Sequence, residues 1–292
     1  MKAVTRAFLL TLSFAVSNLC RAEEPSRSPV RELEYARVGE HALKLDLHLP
    51  RVELRSPLIV WVHGGAWRSG SKENMPLRSL VETGYAVASV DYRLSPQAKF
   101  PAQIHDIKAA IRFLRAREKE LGISAKQIVV AGDSAGGHLA ALVGVSNGHR
   151  ELEGEIGDAL AQSSEVQGII SFYGAANLTT ILQQSTPHGL KVRVPALDLF
   201  LGGQPADVPK LAQLASPVFH VARQDPPLLL LHGDQDPQMP VNQALELQGA
   251  YQKAGAPVQL EIVLGAAHGG APFYDEVRIA VVTKFLHRHF AK

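Results

Sequence analysis

Leu58-Ile59-Val60-Trp61-Val62 is an unbroken apolar run, and a strand apolar on every residue needs cover on both faces. Residues 85–90, 128–131, 166–173, 228–231 and 258–264 read as further strands, several of them apolar throughout. Between them lie stretches with helical spacing. In 101–121, Ile104, Ile107, Ala110, Ile111 and Leu114 recur on one face, and Gly122 stands where a helix would be capped. Shorter helices are expected over 75–82 (stopped by Gly84), 138–145, 241–253 (closed by Gly255) and 273–289. Strands alternating with helices predict one α/β domain with a mainly parallel sheet. The alternating run 43–49 and the run 33–37, around Gly39-Glu40, predict an antiparallel hairpin at its edge. Pro187, Pro195, Pro205 and Pro209 interrupt the pattern between 174 and 219, which reads as short helices forming a small cap or rim.

The N-terminus departs from this pattern. Lys2 and Arg6 precede an apolar stretch over 7–16, and Cys20-Arg21-Ala22 follows with small residues three and one before the expected cut. Residues 1–22 are therefore expected to be a signal peptide, 23–32 a linker, and 33–292 the domain, with export to the periplasm or the medium. The apolar stretch is too short to span a bilayer, so no membrane span is expected once it is removed. The only cysteine, Cys20, would leave with it, and with it any thiol nucleophile or disulfide. Lys2, Arg6 and Arg21 would go too, leaving 27 basic against 28 acidic residues. Such a balance, without a basic stripe, excludes a nucleic-acid partner from the expectations.

The chemistry is concentrated in Gly132-Asp133-Ser134-Ala135-Gly136-Gly137, set between a strand and a helical stretch. Strand, sharp glycine turn and helix is the setting in which G-x-S-x-G presents a nucleophilic serine. A serine hydroxyl is a poor nucleophile near neutral pH, so it needs a base, and the base an orienting acid. In an open α/β sheet both belong at the carboxyl ends of strands. After Leu231 comes His232-Gly233-Asp234-Gln235-Asp236, and after Leu264 comes Gly265-Ala266-Ala267-His268. The expected triad is Ser134, Asp236 and His268. Asp234 competes for the acid's role; Asp236 is preferred because it lies deeper in the loop, with Asp234 bracing the turn. His138 should pack on the helix behind Ser134, and His287 and His289 should be solvated. No H-E-x-x-H or similar ligand spacing occurs, so no metal is expected. Gly64 and Gly65 follow the strand 58–62 with no side chains to shield their amides. With Ala135 they are expected to form an oxyanion hole. His63 should fix that loop, and Trp67 is a candidate wall of the substrate pocket.

His63-Gly64-Gly65-Ala66-Trp67, Asp91-Tyr92-Arg93-Leu94-Ser95-Pro96, the Ser134 motif and the loops of Asp236 and His268 together resemble the esterase branch of the α/β-hydrolases. The nearest likeness is to bifunctional acetyl xylan/feruloyl esterases, within the wider hormone-sensitive-lipase-like group. The resemblance runs from about Leu43 to the C-terminus, with one departure at Ala66, where many relatives have a third glycine. It implies an α/β-hydrolase fold and a secreted serine carboxylesterase that needs no cofactor, acting on a small ester or an acylated polysaccharide. A short-chain lipase, an arylformamidase-like amide hydrolase, a peptidase and a non-catalytic binding relative are the alternatives left open.

Overall fold

Among the residues that the computed structural model describes, 30–290, eight strands form one sheet in the order β1-β2-β4-β3-β5-β6-β7-β8. The expected signal peptide and most of the expected linker lie outside the described residues. β1 (Val30–Val38) and β2 (His41–His48) make the antiparallel hairpin, and β2 runs antiparallel to β4 (Tyr85–Val90). The other strands are parallel: β3 (Arg55–Val62), β5 (Ile128–Asp133), β6 (Gly168–Phe172), β7 (Leu228–Gly233) and β8 (Val258–Val263). The expected linker ends early, because its last residues are already strand. Val30, Arg31 and Glu32 pair with His48, Leu47 and Asp46, and the Glu32 carboxylate takes Lys44 at 2.7 Å and Lys72 at 3.0 Å.

The two-residue period of the strands sorts their side chains into two layers. Leu58, Val60, Val62, Ile128, Val130, Leu228 and Leu230 face one core, and Ile59, Trp61, Val129, Ala131, Leu229 and Leu231 face the other. Both faces are apolar, which is why these strands read as continuous runs. Helices α1 (Arg78–Glu82), α2 (Ala102–Ala116), α3 (Glu118–Leu121), α4 (Ala135–Val145) and α5 (Arg150–Glu153) precede β6. The region 174–219 holds α6 (Ile181–Gln184), α7 (Pro187–Leu201) and α8 (Pro209–Leu214). Helices α9 (Asn242–Ala254) and α10 (Glu276–Phe290) complete the chain order. The first layer is covered by α2, α4 and α9, the second by α1 and α10. Some helix boundaries differ from expectation: α4 starts at Ala135 rather than 138, and α10 at Glu276 rather than 273. The one expected from 75 starts at Arg78, because Met75 and Leu77 turn into the second core. The long one over 101–121 breaks at Arg117.

Register brings the strand ends to one edge. Val62 is level with Gly132, Asp133 with Phe172, Phe172 with Leu231, and Gly233 with Val263. The loops after β3, β5, β6, β7 and β8 therefore emerge side by side. Helix α4 leaves β5 so tightly that a Cβ on Gly136 would lie 2.0 Å from the Val62 carbonyl oxygen, and one on Gly132 would lie 2.5 Å from Gly136.

One histidine on α4 fastens the region 174–219 to this core. His138 is wholly buried; its Nδ1 accepts from Trp67 Nε1 at 3.1 Å and its Nε2 donates to Ala215 O at 2.6 Å. The Trp67 ring stacks on Phe200 of α7 with centroids 4.7 Å apart. Both partners of His138 call for the neutral ring, and burial pushes it down to about 4.

Two outcomes follow from these contacts. Gly136→Ala should destabilise the protein by about 3 kcal/mol or prevent folding, since backbone rather than a movable side chain meets the added methyl; urea unfolding measures it, and a loss below about 1 kcal/mol would contradict the close approach. For His138, the unfolded chain binds a proton near pH 6.5 and the folded one only near 4. Its contribution is thus complete above pH 6.5 and is lost as the pH falls toward 4, by about 3 kcal/mol in all. His138→Gln, which cannot titrate but keeps a donor and an acceptor, should flatten that part of the stability profile. A slope equal to that of the parent protein would refute the account.

Candidate active site

Ser134 stands between β5 and α4 with φ 51° and ψ −116°, a conformation that side-chain-bearing residues seldom adopt. It is held there from both sides. Its N–H donates to Phe172 O at 2.9 Å and its carbonyl accepts His138 N at 3.0 Å. The turn lifts the hydroxyl off the end of the sheet, toward the loops that follow β7 and β8.

Those loops supply the two partners. His268 Nε2 lies 2.9 Å from Ser134 Oγ, and His268 Nδ1 lies 2.6 Å from Asp236 Oδ2. The second contact assigns the Nδ1 proton to the carboxylate side and leaves Nε2 to accept from the hydroxyl. Asp236 Oδ1 accepts the amides of Gln238 at 2.8 Å and Met239 at 2.7 Å. Burial works to raise the Asp236 carboxyl, but the His268 bond and charge and these amides outweigh it and hold the group below its ordinary range. Asp234 takes no part: it is exposed, and its Oδ1 accepts Gly265 N at 2.6 Å, tying the β7 turn to the β8 turn. His232 is buried and donates Nε2 to Met239 O at 2.9 Å, bracing the acid loop from below. His287 and His289 are exposed on α10.

The loop after β3 is fixed by the Asp91-Tyr92-Arg93-Leu94-Ser95 segment. His63 is buried and neutral, pushed down by burial; it stacks on Tyr92 at 4.4 Å and its Nδ1 donates to Gly64 O at 2.7 Å. Tyr92 donates to His63 O at 3.0 Å, and Ser95 donates its amide and hydroxyl to Trp67 O at 2.8 and 3.0 Å. Arg93 anchors the segment by a forked contact with the buried Asp106 carboxylate, 2.7 to 3.1 Å long.

Two expectations for this loop are corrected. The Gly64 amide is not free, because it donates to Asp133 Oδ1 at 2.7 Å. Among the described residues the amides of Gly65, Ala66 and Ala135 have no acceptor within the protein. Trp67 is not a pocket wall: it is fully buried in the knot with His138 and Phe200. Positive φ values at Ala66 (52°) and Trp67 (59°) turn the indole inward, toward the first core. The third glycine of many relatives would adopt that conformation without the clash a Cβ brings.

Asp133, quoted within the serine motif but given no role from sequence, joins three elements. Besides Gly64 N it accepts from Tyr173 Oη at 3.2 Å, and Tyr173 Oη lies 2.8 Å from Tyr274 Oη. Burial pushes the Asp133 carboxyl above its ordinary range against the pull of those donors. The Tyr173 ring also meets the His268 ring edge-on at 4.9 Å. Its place directly after β6, at the edge where the other loops emerge, is the signal that could have found it. Beside this cluster a cavity of about 400 Å³ is lined by Glu73, Asn74, Asp133, Tyr173, Gly270 and Tyr274, with the apolar Trp61, Met75 and Pro76 completing its wall. No group of three His, Cys, Asp or Glu able to hold a metal occurs among the described residues, nor any helix long and apolar enough to cross a membrane.

Comparison with known proteins agrees with this geometry. The chain is 32% identical over 234 residues to the esterase LipQ of Mycobacterium tuberculosis, a match covering 79% of this chain and 54% of that protein. It thus spans about half the length of the curated relatives it matches. A solved carbohydrate esterase from gut microbiota, in truncated form, superposes with a TM-score of 0.83 at 29% identity, covering 92% of this chain and 99% of that one. Esterase 2 of Thermogutta terrifontis, solved after phosphoramylation by tabun, superposes with a TM-score of 0.72 at 28% identity, covering 90% and 95%. Residues 45–251 match the BD-FAE family, well over half of the chain. This chain belongs to the BD-FAE family, and its fold is the α/β-hydrolase fold of the solved esterases on which it superposes.

Proposed function

We propose that this protein is an exported serine carboxylesterase that removes short acyl groups, acetyl or feruloyl, from plant polysaccharide. The observation that carries the chemistry is the unbroken chain Ser134 Oγ to His268 Nε2 (2.9 Å) and His268 Nδ1 to Asp236 Oδ2 (2.6 Å). Ser134 attacks the ester carbonyl while His268 takes its proton. His268 then gives that proton to the leaving alcohol, and a water activated by the same ring releases the acid and frees Ser134. Asp236 keeps the proton of the resting ring on Nδ1 and stabilises the imidazolium. The amides of Gly65, Ala66 and Ala135 receive the developing oxyanion, Ala66 taking the place that Gly64 yields to Asp133. No cofactor enters the scheme.

Two observations support a carbohydrate alcohol. The cavity beside Tyr173 carries two carboxylates, two phenols and an amide side chain, groups that hydrogen-bond sugar hydroxyls, next to Trp61, Met75 and Pro76, on which the apolar face of a sugar ring can rest. The gut-microbiota neighbour is named a carbohydrate esterase. Export is supported by the pattern of residues 1–22.

The test is hydrolysis of p-nitrophenyl esters from acetate to decanoate, with acetylated xylan and methyl ferulate alongside. Turnover confined to the shortest esters, with acetate or ferulate released from the natural substrates, is the expected result. Equal or better turnover of long chains would instead mark a lipase-like enzyme. Ser134→Ala should reduce kcat at least about 10⁴-fold, and Asp236→Asn about 10⁴-fold, with folding unchanged. A Ser134→Ala protein with near-parental rates would remove the assignment.

A further inference from the structure

Helix α7, in the region least legible from sequence, rests its first two turns on the loop that carries Asp236. Thr186, the N-cap of α7, donates Oγ1–H to Pro237 O at 2.5 Å while accepting Gly189 N at 3.0 Å. Seven residues further along the same face, Arg193 donates Nη2–H to Gln238 O at 3.3 Å. Gly189 lies between them, where an added Cβ would stand 3.0 Å from Gln238 O and 3.3 Å from Pro237 O.

The atoms on the other side of those peptide groups are the ones that orient the acid. Pro237 O and Gln238 N belong to one peptide unit, and Gln238 O and Met239 N to the next. Asp236 Oδ1 accepts from both N–H groups, at 2.8 and 2.7 Å. Each unit is therefore held at its oxygen by α7 and at its N–H by Asp236. A donor at the oxygen fixes the rotation of the peptide plane and polarises its N–H toward the carboxylate.

Arg193 is an unusual residue to find here if packing were its whole purpose. It is fully buried, Gln238 O is its one protein acceptor among the described residues, and its Nε and Nη1 have none. An apolar side chain of similar length would fill that space without the desolvation a guanidinium suffers. Burial pushes it down to about 10, and the Asp236 carboxylate opposes that fall, so the charge persists at neutral pH.

We propose that Thr186 and Arg193 are positioning residues for the acid of the triad. From α7 they set the two peptide planes whose amides hold Asp236 Oδ1, and so aim Oδ2 at His268 Nδ1. The inference rests on the reading of Ser134, His268 and Asp236 as a catalytic triad. It makes α7 a support of the triad's acid as well as a part of the core.

The experiment uses the full chain and the variants Thr186→Val, Thr186→Ser, Arg193→Met and Arg193→Lys. Three quantities are read: kcat and KM on p-nitrophenyl acetate, the melting temperature, and the low-field proton resonance of His268 Nδ1–H. Thr186→Val and Arg193→Met should each lower kcat about 10- to 100-fold with KM within about twofold, and should shift or broaden the resonance. Thr186→Ser should restore kcat. In an Asp236→Ala background the Arg193→Met factor should vanish, because the residue acts through the carboxylate. A lower melting temperature with kcat and resonance unchanged would mean packing alone and overturn the proposal. So would an equal loss in the Asp236→Ala background. If the parent protein hydrolyses no ester, the proposed function fails, while the resonance in Thr186→Val and Arg193→Met still decides whether α7 sets Asp236.

Discussion

The fit of α4 against the ends of β3 and β5 is the constraint on which the rest depends. Backbone meets backbone there, and only hydrogen atoms at Gly132 and Gly136 leave room for the Val62 and His63 carbonyls. That closeness lets Ser134 keep a positive φ, since the bonds from its N–H to Phe172 O and from His138 N to its carbonyl pin the residue on both sides. A strained conformation of this kind persists only where its surroundings over-determine it. Move α4 outward by a methyl group and the serine relaxes, the distance to His268 opens, and the oxyanion amides no longer face the same point.

Around that junction the protein manages charge by burial and by choice of partner. His63, His138 and His232 are all pushed down by burial and stand as neutral hydrogen-bonding struts. Asp236 is buried too, yet stays ionised because His268 and two amides compensate it. Asp133 goes the other way, its carboxyl raised while it bridges the oxyanion loop and Tyr173. The two carboxylates thus shift in opposite directions, and only the one bonded to His268 suits the role of a permanent anion.

Much of this was legible in the sequence, and what was not has physical causes. Strands covered on both faces give themselves away as apolar runs, and the strand-end rule located Ser134, Asp236 and His268. Loop depth alone favours Asp236 over Asp234, and it is Asp236 that bonds to His268. By contrast, which amide of Gly64-Gly65-Ala66 is free depends on the direction of the Asp133 side chain, a tertiary fact that no local pattern encodes. Trp67 beside a glycine turn suggested a pocket wall, but positive φ at two successive residues sends it into the core. Helix α7 hid for another reason. It contains Pro195, and it buries Gly189 and Arg193 as well as Ala196, Leu197 and Phe200, because it packs on the acid loop as well as on the core. A helix with two kinds of neighbour has no single apolar stripe to find.

The antiparallel hairpin has a consequence for how the molecule is held. Val30 pairs with His48, which pairs with Val87 near the start of β4, so the chain enters the sheet at the edge opposite the one carrying Ser134. Anything joined ahead of Val30 attaches on the far side of the sheet from the catalytic loops. The start of the hairpin, where the chain is admitted, and the loops that carry Ser134, Asp236 and His268 thus occupy opposite ends of the strands, so the point of entry and the site do not compete for the same surface.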